Sequence, residues 1–251
     1  ATNTPDGFAA LHLWWIALMP MVGGLIVGPL VHFLAPEAGG TGVPEVMEAV
    51  ALHGGNIRKR VGLVKALAVA VCLGSGGSAG REGPIVHVGA ALGSLMGRLF
   101  SVPVRHLRTF VGCGAAAGIA ATFNAPIAGA LFAGEVILGR FGVVRFSAIV
   151  ISSVVATVVS RHFIGDFPAF IVPQFQVQHT YELGFYAMVG LSAALIGGLF
   201  IKMMEWSRKG FGALSVPAWT KPAIGGLLMG IMVLFIPRVW GMGYDTIQDA
   251  I

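Results

Sequence analysis

The chain has 251 residues, of which 56% are hydrophobic and only 11% are charged, and its mean hydropathy is +0.83. A soluble domain is about one quarter charged, so this composition excludes an ordinary soluble protein and predicts an all-α protein with several transmembrane helices. The formal net charge of +5 is typical of Lys- and Arg-rich cytoplasmic loops and does not by itself indicate a nucleic-acid partner.

Apolar segments alternate with short basic turns along the whole chain. The runs 11–34 and 183–204 are long enough to span a membrane. Shorter apolar helices are predicted at 44–53, 61–73, 84–100, 109–121, 126–138, 146–160 and 223–236. The positive-inside rule places the basic segments at 54–60, 98–108, 140–145 and 206–222 on the cytoplasmic side, and the loop 161–182 outside.

Residues 74–84, Gly-Ser-Gly-Gly-Ser-Ala-Gly-Arg-Glu-Gly-Pro, contain five glycines and one acid, Glu82. Glycines let successive N–H groups turn toward one point, and Pro84 predicts a helix that begins at that residue. The N–H groups at the start of a helix attract anions. The stretch therefore predicts an anion site with a tethered carboxylate beside it.

The distribution of charge also favours an anion. Glu82 is the only acid between Glu48 and Glu135. The same interval holds eight basic residues, which are Arg58, Lys59, Arg60, Lys65, Arg81, Arg98, Arg105 and Arg108. A pathway for cations would need acids here, so helix N-termini and basic side chains indicate a pathway for anions.

A dinucleotide site is the soluble alternative for the glycine-rich stretch, because residues 74–79 fit the pattern G-x-G-x-x-A. That site also needs an acid about 20 residues further on, which binds the ribose. No acid occurs between Gly83 and Gly134, so the sequence argues strongly against this interpretation.

Three short motifs rich in glycine and proline occur in order along the chain. Residues 80–84 read G-R-E-G-P, residues 40–45 read G-T-G-V-P-E, and residues 123–129 read F-N-A-P-I-A-G. They resemble the motifs G-(K/R)-E-G-P, G-S-G-I-P-E and F-N-A-P-L-A-G of the CLC family of chloride channels and anion/proton exchangers. The resemblance implies a homodimer in a lipid bilayer, in a bacterial inner membrane, with one pore per subunit and two inverted repeats.

The resemblance also implies roles for individual residues. Glu82 would be the gate, whose carboxylate occupies an anion site and leaves when it is protonated or displaced. Chloride or another small inorganic anion would bind at Thr41, Gly42, Gly80, Arg81, Glu82 and Gly83. Lys65 would make the pore electropositive. The permeant anion would be the only ligand, and no cofactor, metal, nucleic acid or enzymatic activity is expected.

Each of these residues also has a structural interpretation. Thr41 could simply lead into a helix, and the Lys65 side chain could extend to the membrane interface. Glu45 and Glu48, in the first turns of a predicted helix, are expected to be caps. His87 is expected to be a packed histidine, and Glu135 a buried structural acid.

The sequence departs from the family pattern in three ways. Thr41 stands in place of the usual serine. Val136 stands where exchangers often carry an internal proton acceptor, next to Glu135. The family's later G-x-F-x-P motif and pore tyrosine fall beyond Ile251, and its first helix falls before the chain. We therefore expect residues 1–251 to be a partial anion-transport domain, containing the first repeat and the start of the second.

Val136 cannot bind a proton, so the sequence favours a passive, channel-like anion pathway gated by Glu82. The first alternative is a coupled chloride/proton antiporter, in which Glu135 and His87 are the candidates for a proton route. The second alternative is a membrane domain that senses anions without conducting them.

Overall fold

The computed structural model describes residues 13–139, 143–168, 170–172 and 179–251. Every regular element in these ranges is helical, as the composition predicted. The chain divides into two units. One contains Ala1–Ile171 and Ala218–Ala250, and the other contains Val172–Pro217 with Ile251.

Ten α-helices follow one another in the described residues: α1 Leu13–Pro29, α2 Val43–Leu52, α3 Lys59–Gly74, α4 Glu82–Leu99, α5 Val104–Phe123, α6 Pro126–Phe132, α7 Val143–Ile164, α8 Glu182–Ala213, α9 Lys221–Phe235 and α10 Tyr244–Ala250. Single π-helical turns extend α1 over Leu30–Leu34 and α6 over Ala133–Ile137. Short 3₁₀ turns lie at Pro36–Ala38, Ala218–Thr220 and Pro237–Val239.

Among the residues that the structure describes, four helical stretches are long and apolar enough to cross a membrane, namely Trp14–Leu34, Phe146–Ile164, Glu182–Ala213 and Ala218–Phe235. Each overlaps an apolar segment predicted from the sequence. Helix α2 has only ten residues and is about 15 Å long, so it is too short to span, as predicted. The second unit consists mainly of α8, a single exposed helix of 32 residues.

Several predicted boundaries are wrong. Helix α4 begins at Glu82 and not at Pro84, since proline fits anywhere in a first turn whose N–H groups need no acceptor within the helix. Arg105 and Arg108 lie within α5, and Arg208 and Lys209 lie within α8, because Arg and Lys are good helix formers.

The predicted external loop at 161–182 starts later than expected, because α7 continues to Ile164. Residues 169 and 173–178 of this loop lie outside the described residues, as do residues 140–142 of the third basic turn. On the side predicted to be cytoplasmic, Arg98 Nη1 donates a hydrogen bond of 2.6 Å to Asn56 Oδ1. This contact brings two of the predicted cytoplasmic basic segments together.

Glycines allow the helix backbones to approach closely. A Cβ atom on Gly114 of α5 would lie 2.7 Å from the carbonyl carbon of Gly89 on α4, and one on Gly230 of α9 would lie 2.7 Å from that of Ala17 on α1. Such contacts between small residues are typical of membrane helices. The core that joins the helices around the site includes Val46, Val61, Val86 and Val111, from α2, α3, α4 and α5.

Candidate functional site

The loop that precedes α2 is in direct backbone contact with the first turn of α4. A Cβ atom on Gly42 would lie 2.6 Å from the carbonyl carbon of Gly83 and 3.1 Å from Pro84 N. A Cβ atom on Gly83 would lie 3.1 Å from the carbonyl carbon of Thr41. Gly42 also has a φ of 112°, which side-chain-bearing residues rarely adopt. The glycines of the first two family-like motifs therefore bring the N-termini of two helices to one place.

The N-terminus of α2 is partly capped by Glu45, a residue of its own first turn. Glu45 Oε2 accepts a hydrogen bond of 2.6 Å from the N–H group of Gly42. This is the capping role that the sequence predicted for Glu45, and it occupies one of the donors at this helix start. Glu48 is exposed on the same helix.

Thr41 is exposed immediately before α2. Within the part of the chain that the structure describes, its hydroxyl group makes no hydrogen bond, whereas its carbonyl carbon lies against Gly83. A hydroxyl group at this point is available to donate to a ligand at the junction of the two loops.

Glu82 is the first residue of α4 and is partly buried. Its side chain folds back over Gly80, where an added Cβ atom would lie 3.2 Å from Glu82 Cδ. The Tyr244 hydroxyl group, at the start of α10, donates a hydrogen bond to Glu82 Oε1. Arg81 lies beside this pair, with its Cζ atom 5.0 Å from the centroid of the Tyr244 ring. The carboxylate therefore has a specific partner on a distant helix.

The sequence prediction missed Tyr244 because it lies 162 positions from Glu82. One local signal was present. Gly241 and Gly243 precede a helix, as do the glycines of the other two loops, and both have positive φ, at 78° and 73°. A glycine-rich turn before a helix start could thus have identified this segment as a third part of the candidate site, beside the motifs at 40–45 and 80–84.

Lys65 is buried in the middle of α3, with only 4% of its surface exposed. Its Nζ atom donates hydrogen bonds of 3.0 Å to the Ala38 carbonyl and 2.8 Å to the Gly40 carbonyl. The side chain therefore does not extend to a membrane interface. It fixes the loop that leads to Thr41 and leaves a positive charge close to the start of α2.

His87 and Glu135 lie in different surroundings. His87, on α4, is 2% exposed, and among the described residues its Nδ1 atom has no hydrogen-bond partner. Glu135 is exposed on the π-helical turn after α6, so the prediction of a buried acid is wrong. In the described ranges Glu135 forms no hydrogen bond or ion pair with Glu82 or Tyr244. Val136 is partly buried and packs against the core.

An open groove of about 830 Å³ runs along α3, α4 and α5 from Arg81 and Pro84. Its walls are mainly apolar and include Val88, Leu92 and Phe110. Such a surface offers an anion few partners along its length. The polar groups suited to an anion are instead concentrated at the helix starts.

The family model for voltage-gated chloride channels matches residues 23–251. The chain is 35% identical over 240 residues to a ClcB-like protein of Ralstonia nicotianae, covering 94% of this chain and 56% of that protein. It is 35% identical over 249 residues to the voltage-gated ClC-type chloride channel ClcB of Escherichia coli, covering 95% and 57%. The chain thus spans little more than half the length of these curated relatives.

Solved structures show the same arrangement of helices. A slow cyanobacterial Cl⁻/H⁺ antiporter superimposes with a TM-score of 0.82 and 25% sequence identity, covering 93% of this chain and 56% of that one. A CLC-type fluoride/proton antiporter superimposes with a TM-score of 0.65 and 21% identity, covering 98% and 70%. The second likeness shows the fold alone. Together these comparisons confirm the resemblance that the three motifs indicated.

Proposed function

The chain belongs to the voltage-gated chloride channel (CLC) family, and on that premise we propose that the complete protein moves chloride or a similar small anion across a lipid bilayer under the control of Glu82. The observation that carries this proposal is the backbone contact of Thr41 and Gly42 with Gly83. This contact brings the N-termini of α2 and α4 together beside the carboxylate of Glu82. Anions bind at helix N-termini because the free N–H groups point toward them.

Competition for the same donors provides the gating mechanism. The anion is held by N–H groups from residues 80–83, by the Thr41 hydroxyl group and by the positive end of the α2 helix dipole, since the Gly42 N–H group is bonded to Glu45. The ionised carboxylate of Glu82 occupies part of this site when no anion is present. Protonation removes its negative charge and weakens this competition, so that the anion can take its place. The buried charge of Lys65 favours any anion that approaches the start of α2.

We propose coupled anion/proton exchange as the mode of transport. Two considerations support it over the channel-like mode that the sequence favoured. The chain resembles a Cl⁻/H⁺ antiporter over 93% of its length. A carboxylate that alternates with the anion can also carry a proton at the same step. Glu135, exposed on its π-helical turn, and His87, with its unpartnered ring nitrogen, are the candidates for the rest of the proton route.

A passive channel is the second candidate, and one observation favours it. Val136 packs against the core at the position where family exchangers often carry an acid. An apolar side chain there cannot accept a proton, so any proton route must pass through water or through other groups. For both modes we propose a homodimer in a bacterial inner membrane.

The experiment is to reconstitute the full-length protein in proteoliposomes with a chloride gradient and no pH gradient. Chloride efflux and proton movement are recorded together. Chloride-driven proton uptake against a growing pH gradient supports exchange, whereas chloride efflux without it supports the channel. Chloride binding by calorimetry without any flux contradicts both modes and supports a sensing domain. Empty liposomes provide the control for leakage.

A further inference from the structure

We infer that Tyr244 is a positioning residue for the gate, whose hydroxyl group holds the Glu82 carboxylate at the start of α4. This inference rests on the proposed role of Glu82. The donor and acceptor belong to helices that lie far apart in the sequence, and both belong to the same structural unit. Tyr244 acts through Glu82 and not on the anion itself.

Tyr244 is held in place from several sides. Its ring makes an edge contact with Phe170, with ring centroids 5.4 Å apart. One turn further along α10, Gln248 Nε2 donates to the Ile171 carbonyl and Gln248 Oε1 accepts from the Ile171 N–H group, both at 2.9 Å. This reciprocal pair ties α10 to the segment that follows α7. A phenol fixed in this way can restrain a mobile carboxylate.

The segment before α10 also contacts the central glycine-rich loop. A Cβ atom on Gly76 would lie 2.5 Å from Cε2 of Trp240. Trp240 and Tyr244 therefore meet the loop at two points, beside Gly76 and beside Glu82. The packing of this whole segment against the loop therefore holds the phenol beside Glu82. The position of the phenol does not depend on one flexible side chain.

The phenol is a donor at every pH at which the gate would work. Burial, followed by the hydrogen bond to Glu82, raises the pKa of Tyr244, while the Arg81 guanidinium acts in the opposite direction. A raised pKa means that the phenol keeps its proton through neutral pH. Arg81 lies against the ring, and Asp245, the next residue of α10, is exposed.

A hydrogen bond donated to a carboxylate favours its ionised form. In the proposed gate, the bond from Tyr244 therefore holds the ionised carboxylate of Glu82 in place against its displacement by the anion. Loss of the hydroxyl group makes the gate leave its position at a lower proton concentration. The pH at which flux is half-maximal consequently moves upward. A charge-assisted hydrogen bond corresponds to a shift of about one pH unit, or about tenfold in proton concentration.

The test measures anion flux against external pH for the full-length protein in proteoliposomes. Tyr244→Phe removes only the hydroxyl oxygen, and Tyr186→Phe, exposed on α8, is the matched control. We expect Tyr244→Phe to move the midpoint upward by about one unit with unchanged flux at low pH. Tyr186→Phe should leave the midpoint in place. An unchanged midpoint in Tyr244→Phe overturns the inference.

Two further measurements separate this inference from the proposed function. In a Glu82→Gln background, Tyr244→Phe should have no additional effect on the pH profile, because the two residues act as one unit. If Glu82→Gln alone leaves the pH profile unchanged, both the gate and the inference are overturned. If Glu82→Gln flattens the profile and Tyr244→Phe shifts nothing, only the inference fails.

Site-specific replacement of Tyr244 by 3-fluorotyrosine keeps the size and the donor of the side chain and makes the phenol more acidic. A stronger donor should move the midpoint downward, opposite to the effect of phenylalanine. This variant also tests the inference if Tyr244→Phe does not fold. A midpoint equal to that of the wild type would contradict the positioning role.

Discussion

The Lys65 ammonium group donates a hydrogen bond of 2.8 Å to the carbonyl of Gly40, 25 positions earlier in the chain. A second bond, to the carbonyl of Ala38, completes the attachment of α3 to the loop before α2. The cation that the sequence assigned to the pore therefore also has a structural function. It fixes the path of the loop that presents Thr41 and Gly42.

Replacement of Lys65 by methionine should destabilise the protein and weaken chloride binding together. Methionine has a similar length but donates no hydrogen bond, so two carbonyl groups lose their partner. Each bond to a charged group contributes about 1.5–3 kcal/mol, and we expect a loss of at least this size in the free energy of unfolding. Thermal unfolding and calorimetric chloride binding of the full-length protein are the measurements. Lys202→Met, exposed on α8, is the control, and identical behaviour of the two variants would contradict this role.

Replacement of Glu82 by glutamine should remove the pH dependence of anion flux. Glutamine has the shape of a protonated glutamate and cannot ionise, so the site stays open to the anion at every pH. Flux in proteoliposomes is measured over a range of external pH. Glu48→Gln, exposed on α2, should keep the profile of the wild type. A Glu82→Gln protein that still responds to pH like the wild type would refute the gate assignment.

Replacement of Thr41 by valine should weaken anion binding. Valine keeps the branched shape and removes the hydroxyl donor, and a hydrogen bond to a charged group contributes about 1.5–3 kcal/mol. We therefore expect the dissociation constant for chloride to rise at least about tenfold, as measured by calorimetry, with an altered preference between chloride and nitrate. Thr41→Ser retains the donor and should bind chloride as tightly as the wild type. Equal binding by the valine variant would leave Thr41 as a residue that only leads into α2.

Replacement of Gly42 by alanine should disrupt the contact between the two helix starts. The added Cβ atom would meet the backbone of Gly83, and the positive φ of Gly42 is itself unfavourable for alanine. Backbone strain alone costs about 1–3 kcal/mol, so the melting temperature should fall and chloride binding should be lost. Gly74→Ala is the matched control, because no atom lies within 4 Å of its added Cβ atom. A melting temperature equal to that of this control would mean that the loops can separate without cost.

Local features of the sequence predicted much of the fold and part of the site. The four candidate spans overlap predicted apolar segments, because hydropathy is a sum over neighbouring residues. The motifs at 40–45 and 80–84 also predicted where helices begin, to within two residues at Glu82. Glu45 was assigned correctly as a cap, since a capping box lies within one helical turn. Boundaries within basic segments failed, as at Arg105 and Arg208, because Arg and Lys are compatible with both helices and loops.

The sequence by itself determined the membrane class, the family and the identity of the one acid at the central loop. Only the tertiary structure decided what those residues contact. It paired Glu82 with Tyr244, directed the Lys65 ammonium group to the carbonyls of Ala38 and Gly40, and exposed Glu135. Hydropathy and short motifs depend on residues that are adjacent in the chain. Contacts between distant residues depend instead on how closely the helices approach one another. That distance is determined by the glycine contacts between helices and by the packing of the shared core.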